Sequence, residues 1–457
     1  MSAAPVDVGT EPVSRAPRWQ RTARGGLVVL VAAAVLAVWL VGRALTRDGA
    51  DLHLRTGYVL VGGFDPILTA RVLLPLGVAA AGVLWGPPLA RRLRWSRLLA
   101  GSAVATALWA VALALSSGWG RLTEPMKSSH EYVADVGRVH GFGPLLSTFI
   151  DSVPVNSADP WTTHVAGHPP GALLAFALLD HLGLGGPGWA AVLCIAGGVL
   201  AVPAVLVTVR AVADEAAART VAPFAVLVPA AVWVATSADA FFAGVTAWGV
   251  ALLALAAVRR PSPVGYLRAI AGGLLLGLSL FLSFGLTATG LLALAVVLVQ
   301  QKRLRWGGVV RVLAAGAVGV LLVFAVFTLG GYWWFDGIAV DAQRVRDGAA
   351  YGDRFRHFHY FLAANVAAGA VAAGPAVVAG LAGVRGRPLW LPLAAVAGMA
   401  VSDVSGLVLG ETERIWLPFV VWLLPATATL PPRSQRFWLA LSALLAITVE
   451  VVVRTPW

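Results

Sequence analysis

The stretch GWAAVLCIAGGVLAVPAVLVTV, residues 188–209, carries no charge over 22 residues and is closed by Arg210. As a helix with a 1.5 Å rise per residue it measures about 33 Å, enough to cross a hydrocarbon core of roughly 30 Å. Runs of this kind recur along the chain, and spans are expected at 26–42, 68–88, 98–116, 188–209, 220–237, 240–258, 267–283, 285–300, 307–329, 361–383, 388–409, 415–430 and 437–453. Of 457 residues 59% are hydrophobic and only 12% charged, where a soluble domain carries roughly 25% charged residues. Water is therefore not the main solvent, and the expected fold is all-α, a polytopic transmembrane helical bundle of about thirteen spans.

The net charge of +12 resides in short basic clusters between the apolar runs. Clusters so placed are topology signals, and no nucleic acid partner is expected. Arg15, Arg18, Arg21 and Arg24 precede the first run, which reads as an uncleaved signal anchor with a cytoplasmic N-terminus. Alternating from there, twenty Lys and Arg fall inside, Arg259, Arg260 and Arg303 among them, and twelve fall outside, with the C-terminus outside as well. The apolar run 171–184 is only about 21 Å long as a helix. Treating it as a span reverses the basic asymmetry, so it is expected to be an amphipathic helix on the outer face. All eight histidines then lie outside, together with two outer loops, 117–187 and 330–360, that exceed the roughly 12–15 residues of an ordinary connection. The lone Cys194 permits no intramolecular disulfide and implies no thiolate metal site.

After the third span the chain reads EPMKSSHEYVADVGR, residues 124–138. Wound as an α-helix it places Glu131, Asp135 and Arg138 on one face and Tyr132, Val133, Val136 and Val139 on the other, an amphipathic helix on the membrane surface. The plain reading is a solvated acidic face; the sharper one makes Glu131 a general base, with Asp135 as a further catalytic carboxylate. The same loop continues WTTHVAGHPPG, residues 161–171, whose prolines suit a rigid helix start. His164 and His168, beside that start, can bind phosphate or orient a carboxylate. At the corner ATSADAFF, residues 235–242, Asp239 is either a helix N-cap or a functional acid. The segment GETERIWLP, residues 410–418, brings Glu411, Glu413 and Arg414 to the outer mouth of the bundle, as a local ion pair or as a phosphate clamp. Arg354 and Arg356 are further outer cations suited to phosphate, and Asp403 is an intramembrane acid that Ser402 or Ser405 can satisfy.

The order of these features resembles the GT-C membrane glycosyltransferases, which include the protein O-mannosyltransferases and the lipid A aminoarabinose transferases. A span is followed by an acid-bearing outer loop, a His-Pro-Pro helix start, a returning span and an acid at the next outer corner. The resemblance is clearest over residues 98–260. It implies a sugar donor on a polyprenyl phosphate and an inverting attack by an acceptor hydroxyl at the outer face of the cytoplasmic membrane. The acceptor is then a cell-envelope glycan, lipid or protein, in contact with membrane lipids. The family's acidic pair falls on His130 and Glu131, with His where Asp is usual, its second acid on Asp239, and its His-Pro-Pro on His168, Pro169 and Pro170. Glu131 and Asp239 are expected to meet across the outer cavity, Asp239 positioning the base or a divalent cation, magnesium or manganese. The domains are then 1–97, a tail with two additional spans; 98–300, the core with its long outer loop; and 301–457, the C-terminal spans. The rival reading is a transporter or flippase of a lipid-linked sugar, a class that places ionisable residues near the midplane.

Overall fold

The structure, a computed structural model, describes residues 18–235, 237–258, 262–347, 354 and 356–456; Arg15, Arg259 and Arg260 of the inner clusters lie outside them. Among the described residues the regular structure is helical except for one two-residue antiparallel pair, β1 (Gly63–Phe64) and β2 (Val453–Arg454), with Gly63 opposite Arg454. Among the described residues eight helices are long and apolar enough to cross a membrane: α1 (Arg18–Arg47), α2 (Leu73–Arg92), α3 (Trp95–Ser116), α4 (Pro187–Val212), α5 (Ala238–Ala257), α6 (Pro263–Leu282), α7 (Gln301–Leu329) and α8 (Gln435–Val452). Large apolar side chains such as Val29, Leu30 and Leu36 of α1 and Leu321 and Val326 of α7 are exposed, as lipid-facing side chains are. The chain is a multi-pass membrane protein.

Not every expected span is one straight helix. The span at 361–383 is a pair, Phe358–Ala373 and Pro375–Leu381, bent by 101°. Gly374 sits there at φ +82°, a left-handed conformation that glycine adopts without strain, and Pro375 starts the second helix because it has no N–H to leave unpaired. Counting that pair as one span gives nine. The other four expected spans are short or broken: Glu215–Val226 followed by the 3₁₀ turn Pro229–Trp233, Phe284–Leu298, Trp390–Val404, and Leu417–Thr429, which is interrupted near Pro418 and Pro425.

The long helices pack closely where side chains are absent. A Cβ on Gly197 of α4 would run into the backbone of Phe241, and one on Gly244 of α5 into the backbone of Gly197, so both must be glycine for these helices to touch.

The connections sort to two ends. At one, Arg219 donates to the carbonyls of Ala90 and Leu93, Gln300 to Ala211, Arg303 to Val258, and Arg24 to Thr429. These are the loops expected inside. At the other, Arg121 donates to Thr455, Trp334 Nε1 to Leu280, and β1 pairs with β2, joining the loops expected outside.

The first outer loop differs from its expected form. Residues Tyr132–Arg138 form a 3₁₀ helix rather than an α-helix lying on the membrane. Three residues per turn align i with i+3, so Asp135 shares a ridge with Arg138 and Tyr132, and Glu131 is turned away from both. Both acids are buried, so the solvated acidic face does not form. The apolar run at 171–184 gives an 11-residue helix, Gly171–His181, about 16 Å long. Gly171, Leu173 and Phe176 are buried, and a Cβ at Gly171 would meet the carbonyl of Phe281 in α6, which pins this helix to the bundle.

Candidate functional site

A cavity of about 540 Å³ opens at the end where the outer loops gather, and His53, Arg55, His130, Glu131, Thr163, His164, Arg354 and Glu411 line it. Glu131 precedes the 3₁₀ helix Tyr132–Arg138 in extended conformation, which sends its side chain toward the bundle. His164 stands in the short helix Thr163–Ala166, tied to the same region because its N–H donates to the His130 carbonyl at 3.1 Å. Its Nδ1 lies 3.0 Å from Glu131 Oε1.

Arg414 is the hub. It is carried in the helix Thr412–Ile415, directly after Glu411, whose φ of +63° turns the chain sharply. Nη1 donates to Asp239 Oδ2 at 2.6 Å; Nη2 donates to Glu411 Oε2 at 2.6 Å and lies 3.1 Å from His164 Nε2. Asp239 is free for this role because Ser237, not Asp239, caps α5: its hydroxyl accepts from the Asp239 N–H and donates to Oδ2 at 2.9 Å. Glu131 and Asp239 thus belong to one series of polar contacts, Glu131–His164–Arg414–Asp239, joined through His164 and Arg414 rather than meeting directly.

The electrostatics follow from that series. Burial pushes the Glu131 carboxyl up, but His164 and then Arg414 outweigh it and hold Glu131 below the usual range. Burial likewise raises Glu411, and Arg414, Arg354 and His164 overcome it, taking Glu411 down to about 2. Arg414 is buried, yet Asp239 and Glu411 keep its proton more firmly bound than in water. Two carboxylates against one guanidinium, all desolvated, make a fixed ionised cluster.

Other expected site residues fall elsewhere. Asp135 accepts from Arg138 at 2.8 Å and from the Thr162 N–H at 2.9 Å, while Arg138 also pairs with Asp159 and lies 3.9 Å above the Trp161 ring. It braces the loop and does not line the cavity. Glu413 is fully buried and accepts from the Val61 N–H at 2.9 Å, and burial pushes it up to about 7. It fastens the 57–62 turn. Arg356 is exposed and away from the cavity lining, whereas Arg354 lines it and donates to the carbonyls of Leu52, His53 and Leu409. His168 is buried behind the site, with Nδ1 2.8 Å from the His164 carbonyl and its ring 5.7 Å from Tyr132; burial lowers it to about 4. Glu450 and Arg454 do not pair: Arg454 reaches Asp65, and Glu450 accepts from Ser117.

Asn365 is a positioning residue that no motif marks. Its side chain donates to Asp403 Oδ1 at 2.8 Å and to the Val408 carbonyl, and accepts from the Gly410 N–H at 3.0 Å. It thereby satisfies Asp403 and shapes the turn into Glu411 and Arg414. Its only signal in the sequence is a lone carboxamide within an apolar run.

The residues present do not fit a divalent cation. The Arg414 guanidinium stands between Asp239 and Glu411, Glu131 is committed to His164, and among the described residues no group of three or more His, Cys, Asp or Glu gathers.

No protein-family model and no curated protein sequence matches the chain. Among solved structures it is similar to ArnT from Cupriavidus metallidurans in the apo state, with 16% identity and a TM-score of 0.41 over 66% of this chain and 55% of that one. It is also similar to the Archaeoglobus fulgidus oligosaccharyltransferase in complex with zinc and sulfate, with 13% identity and a TM-score of 0.38 over 79% and 54%. The same enzyme, AglB, with an inhibitory peptide and a dolichol-phosphate gives 13% and 0.37 over 79% and 56%. These are GT-C glycosyltransferases, the family the sequence resembles. The chain spans little more than half the length of each of them.

Proposed function

We propose that the protein is a membrane glycosyltransferase that moves a sugar from a polyprenyl-phosphate donor to an acceptor hydroxyl at the outer face of the cytoplasmic membrane. The observation that carries this reading is the buried series Glu131–His164–Arg414–Asp239, whose Glu131 and His164 line a cavity at one end of an apolar bundle with Arg414 and Asp239 behind them. A prenyl chain stays in the bilayer because each CH₂ withdrawn costs about 0.8 kcal/mol, so its phosphate must be met at the membrane surface.

Arg414, held from behind by Asp239, and Arg354, close to Glu411, offer fixed cations there. Glu131 is ionised and faces the cavity, as a base for a hydroxyl must be. In the reaction the acceptor oxygen forms a bond to the anomeric carbon as the carbon–phosphate oxygen bond breaks. The electron pair leaves with the phosphate, and the hydroxyl proton passes to Glu131. Which sugar and which envelope acceptor are used belongs to the remaining walls of the cavity, where His53, Arg55 and His130 stand.

A structure of the purified protein with a polyprenyl phosphate tests the reading. The phosphate is expected within hydrogen-bond reach of Arg414 or His164, its chain passing into lipid. A phosphate bound at the opposite end of the bundle, or distant from Arg414, would overturn it.

A further inference from the structure

The donor reading gives Arg414 and Glu131 their tasks but leaves the imidazole between them with none. The two nitrogens of His164 have different partners, Nδ1 at 3.0 Å from Glu131 Oε1 and Nε2 at 3.1 Å from Arg414 Nη2. A guanidinium has donors and no acceptor, so Nη2 donates and Nε2 accepts. With Nε2 accepting, the proton of the neutral tautomer belongs on Nδ1, 3.0 Å from Glu131 Oε1.

We propose that His164 is a proton-coupled part of the phosphate site: an anionic phosphate ester that draws Arg414 off Nε2 is bound together with a proton, taken up at that nitrogen. The inference rests on the donor reading for the identity of the ligand.

The charged groups around His164 decide the direction. Glu131 faces Nδ1 and Arg414 faces Nε2, with Asp239 and Glu411 beyond Arg414, and Arg354 3.6 Å from Glu411. Tyr132 lies 6.2 Å away ring to ring, and His168 Nδ1 meets His164 at its backbone carbonyl rather than at its ring. While the guanidinium rests on Nε2, a second proton there is opposed both sterically and by a full positive charge at contact distance. An incoming phosphate reverses both conditions. Arg414 can answer it without leaving Asp239, because the Asp239 contact uses Nη1 and only Nη2 is shared with His164. The released Nε2 then faces an anion while Nδ1 lies 3.0 Å from the Glu131 carboxylate, a setting that favours imidazolium. His168 does not compete for the proton, since burial keeps it neutral.

The consequence for transfer is direct. When the sugar leaves, the phosphodiester becomes a monoester and gains charge, and the Nε2–H of His164 donates to the oxygen that acquires it. The proton came from solvent at binding and departs with the prenyl phosphate or returns to solvent.

Calorimetric titration of the full-length protein in detergent with farnesyl methyl phosphate tests this. That diester carries a single charge that does not titrate near neutrality, so any proton taken up goes to the protein. Comparing two buffers of different ionisation heat should show uptake of about one proton per ligand, and affinity should fall as pH rises. His164→Gln keeps an acceptor for Arg414 and a donor for Glu131 but cannot titrate. It should bind with no uptake and no pH dependence. Wild-type binding without proton uptake, or the same uptake in His164→Gln, would overturn the inference and leave the donor reading standing. If His164→Gln does not fold, the wild-type uptake alone decides. Absence of any binding of the diester to the wild type would remove the donor reading and this inference with it.

Discussion

Arg414 and Asp239 are 175 residues apart in sequence and form a buried ion pair of 2.6 Å, with Glu411 completing the set on the other guanidinium nitrogen. Removing the arginine strands two desolvated carboxylates. Arg414→Ala should therefore lower stability by about 3–5 kcal/mol, read as a fall in the detergent melting temperature. Arg414→Lys keeps the charge but replaces the planar fork by a point charge that cannot hold Asp239, Glu411 and His164 together. It should lose less stability than Arg414→Ala and still fail to bind prenyl phosphate. Equal stability of the Ala and Lys variants would contradict this account of the cluster.

Glu413 gives stability a pH dependence of unusual sign for an acid. Its carboxyl titrates at about 7 in the folded protein because burial disfavours the anion, above the ordinary carboxylate range of the unfolded chain. The folded state thus binds the proton more tightly, and its contribution is complete at low pH and is lost as pH rises through about 7. Between about pH 5 and 7, above the unfolded carboxylate's range and up to the folded value, the wild-type melting temperature should fall. Glu413→Gln still accepts the Val61 N–H and should lose that part of the slope. Identical slopes in the two proteins would show that Glu413 is ionised throughout.

Asp135 separates bracing from chemistry. Asp135→Asn retains the shape but gives up the charge-assisted bond to Arg138, and should cost about 1–3 kcal/mol of stability. Turnover per folded molecule should remain within a few-fold of wild type. A loss comparable to that of a base would return Asp135 to the catalytic set.

Sidedness is open to cysteine labelling, because the single native cysteine, Cys194, is buried. Asp159 is exposed in the first outer loop and Arg303 is exposed at the opposite end. A cysteine at Asp159 should react with an impermeant maleimide on intact cells, and one at Arg303 only after permeabilisation. The reverse pattern would invert the topology.

Much of the arrangement was legible because membrane constraints act on local composition. Uncharged runs such as 188–209 must be helices in lipid, and basic clusters sort the loops, so the two ends of the bundle follow from the chain alone. The breaks at Gly374 and Pro418 were less so, since an apolar run reads the same whether the helix bends inside it or not. Within the site, sequence pointed to Glu131, His164, Asp239, Glu411 and Arg414, each a polar residue that an outer loop need not carry. It mistook Asp135 for a partner of Glu131, because spacing was read at 3.6 residues per turn where the segment winds at three. It also missed Asn365, whose importance comes from a turn more than forty residues away that no local pattern encodes.

The most direct measurement compares wild type and Glu131→Gln, reconstituted in lipid, for release of prenyl phosphate from a set of polyprenyl-phosphate sugars in the presence of envelope acceptors. Glu131→Gln keeps the shape of the side chain facing His164 Nδ1 and removes the capacity to accept a proton. Sugar-dependent release by the wild type, reduced by a factor of about 10² to 10⁴ in the variant with prenyl-phosphate binding retained, is the expected result. Release at the same rate in both proteins would contradict the role of Glu131, and failure of the wild type to release prenyl phosphate from any such sugar would contradict glycosyl transfer itself.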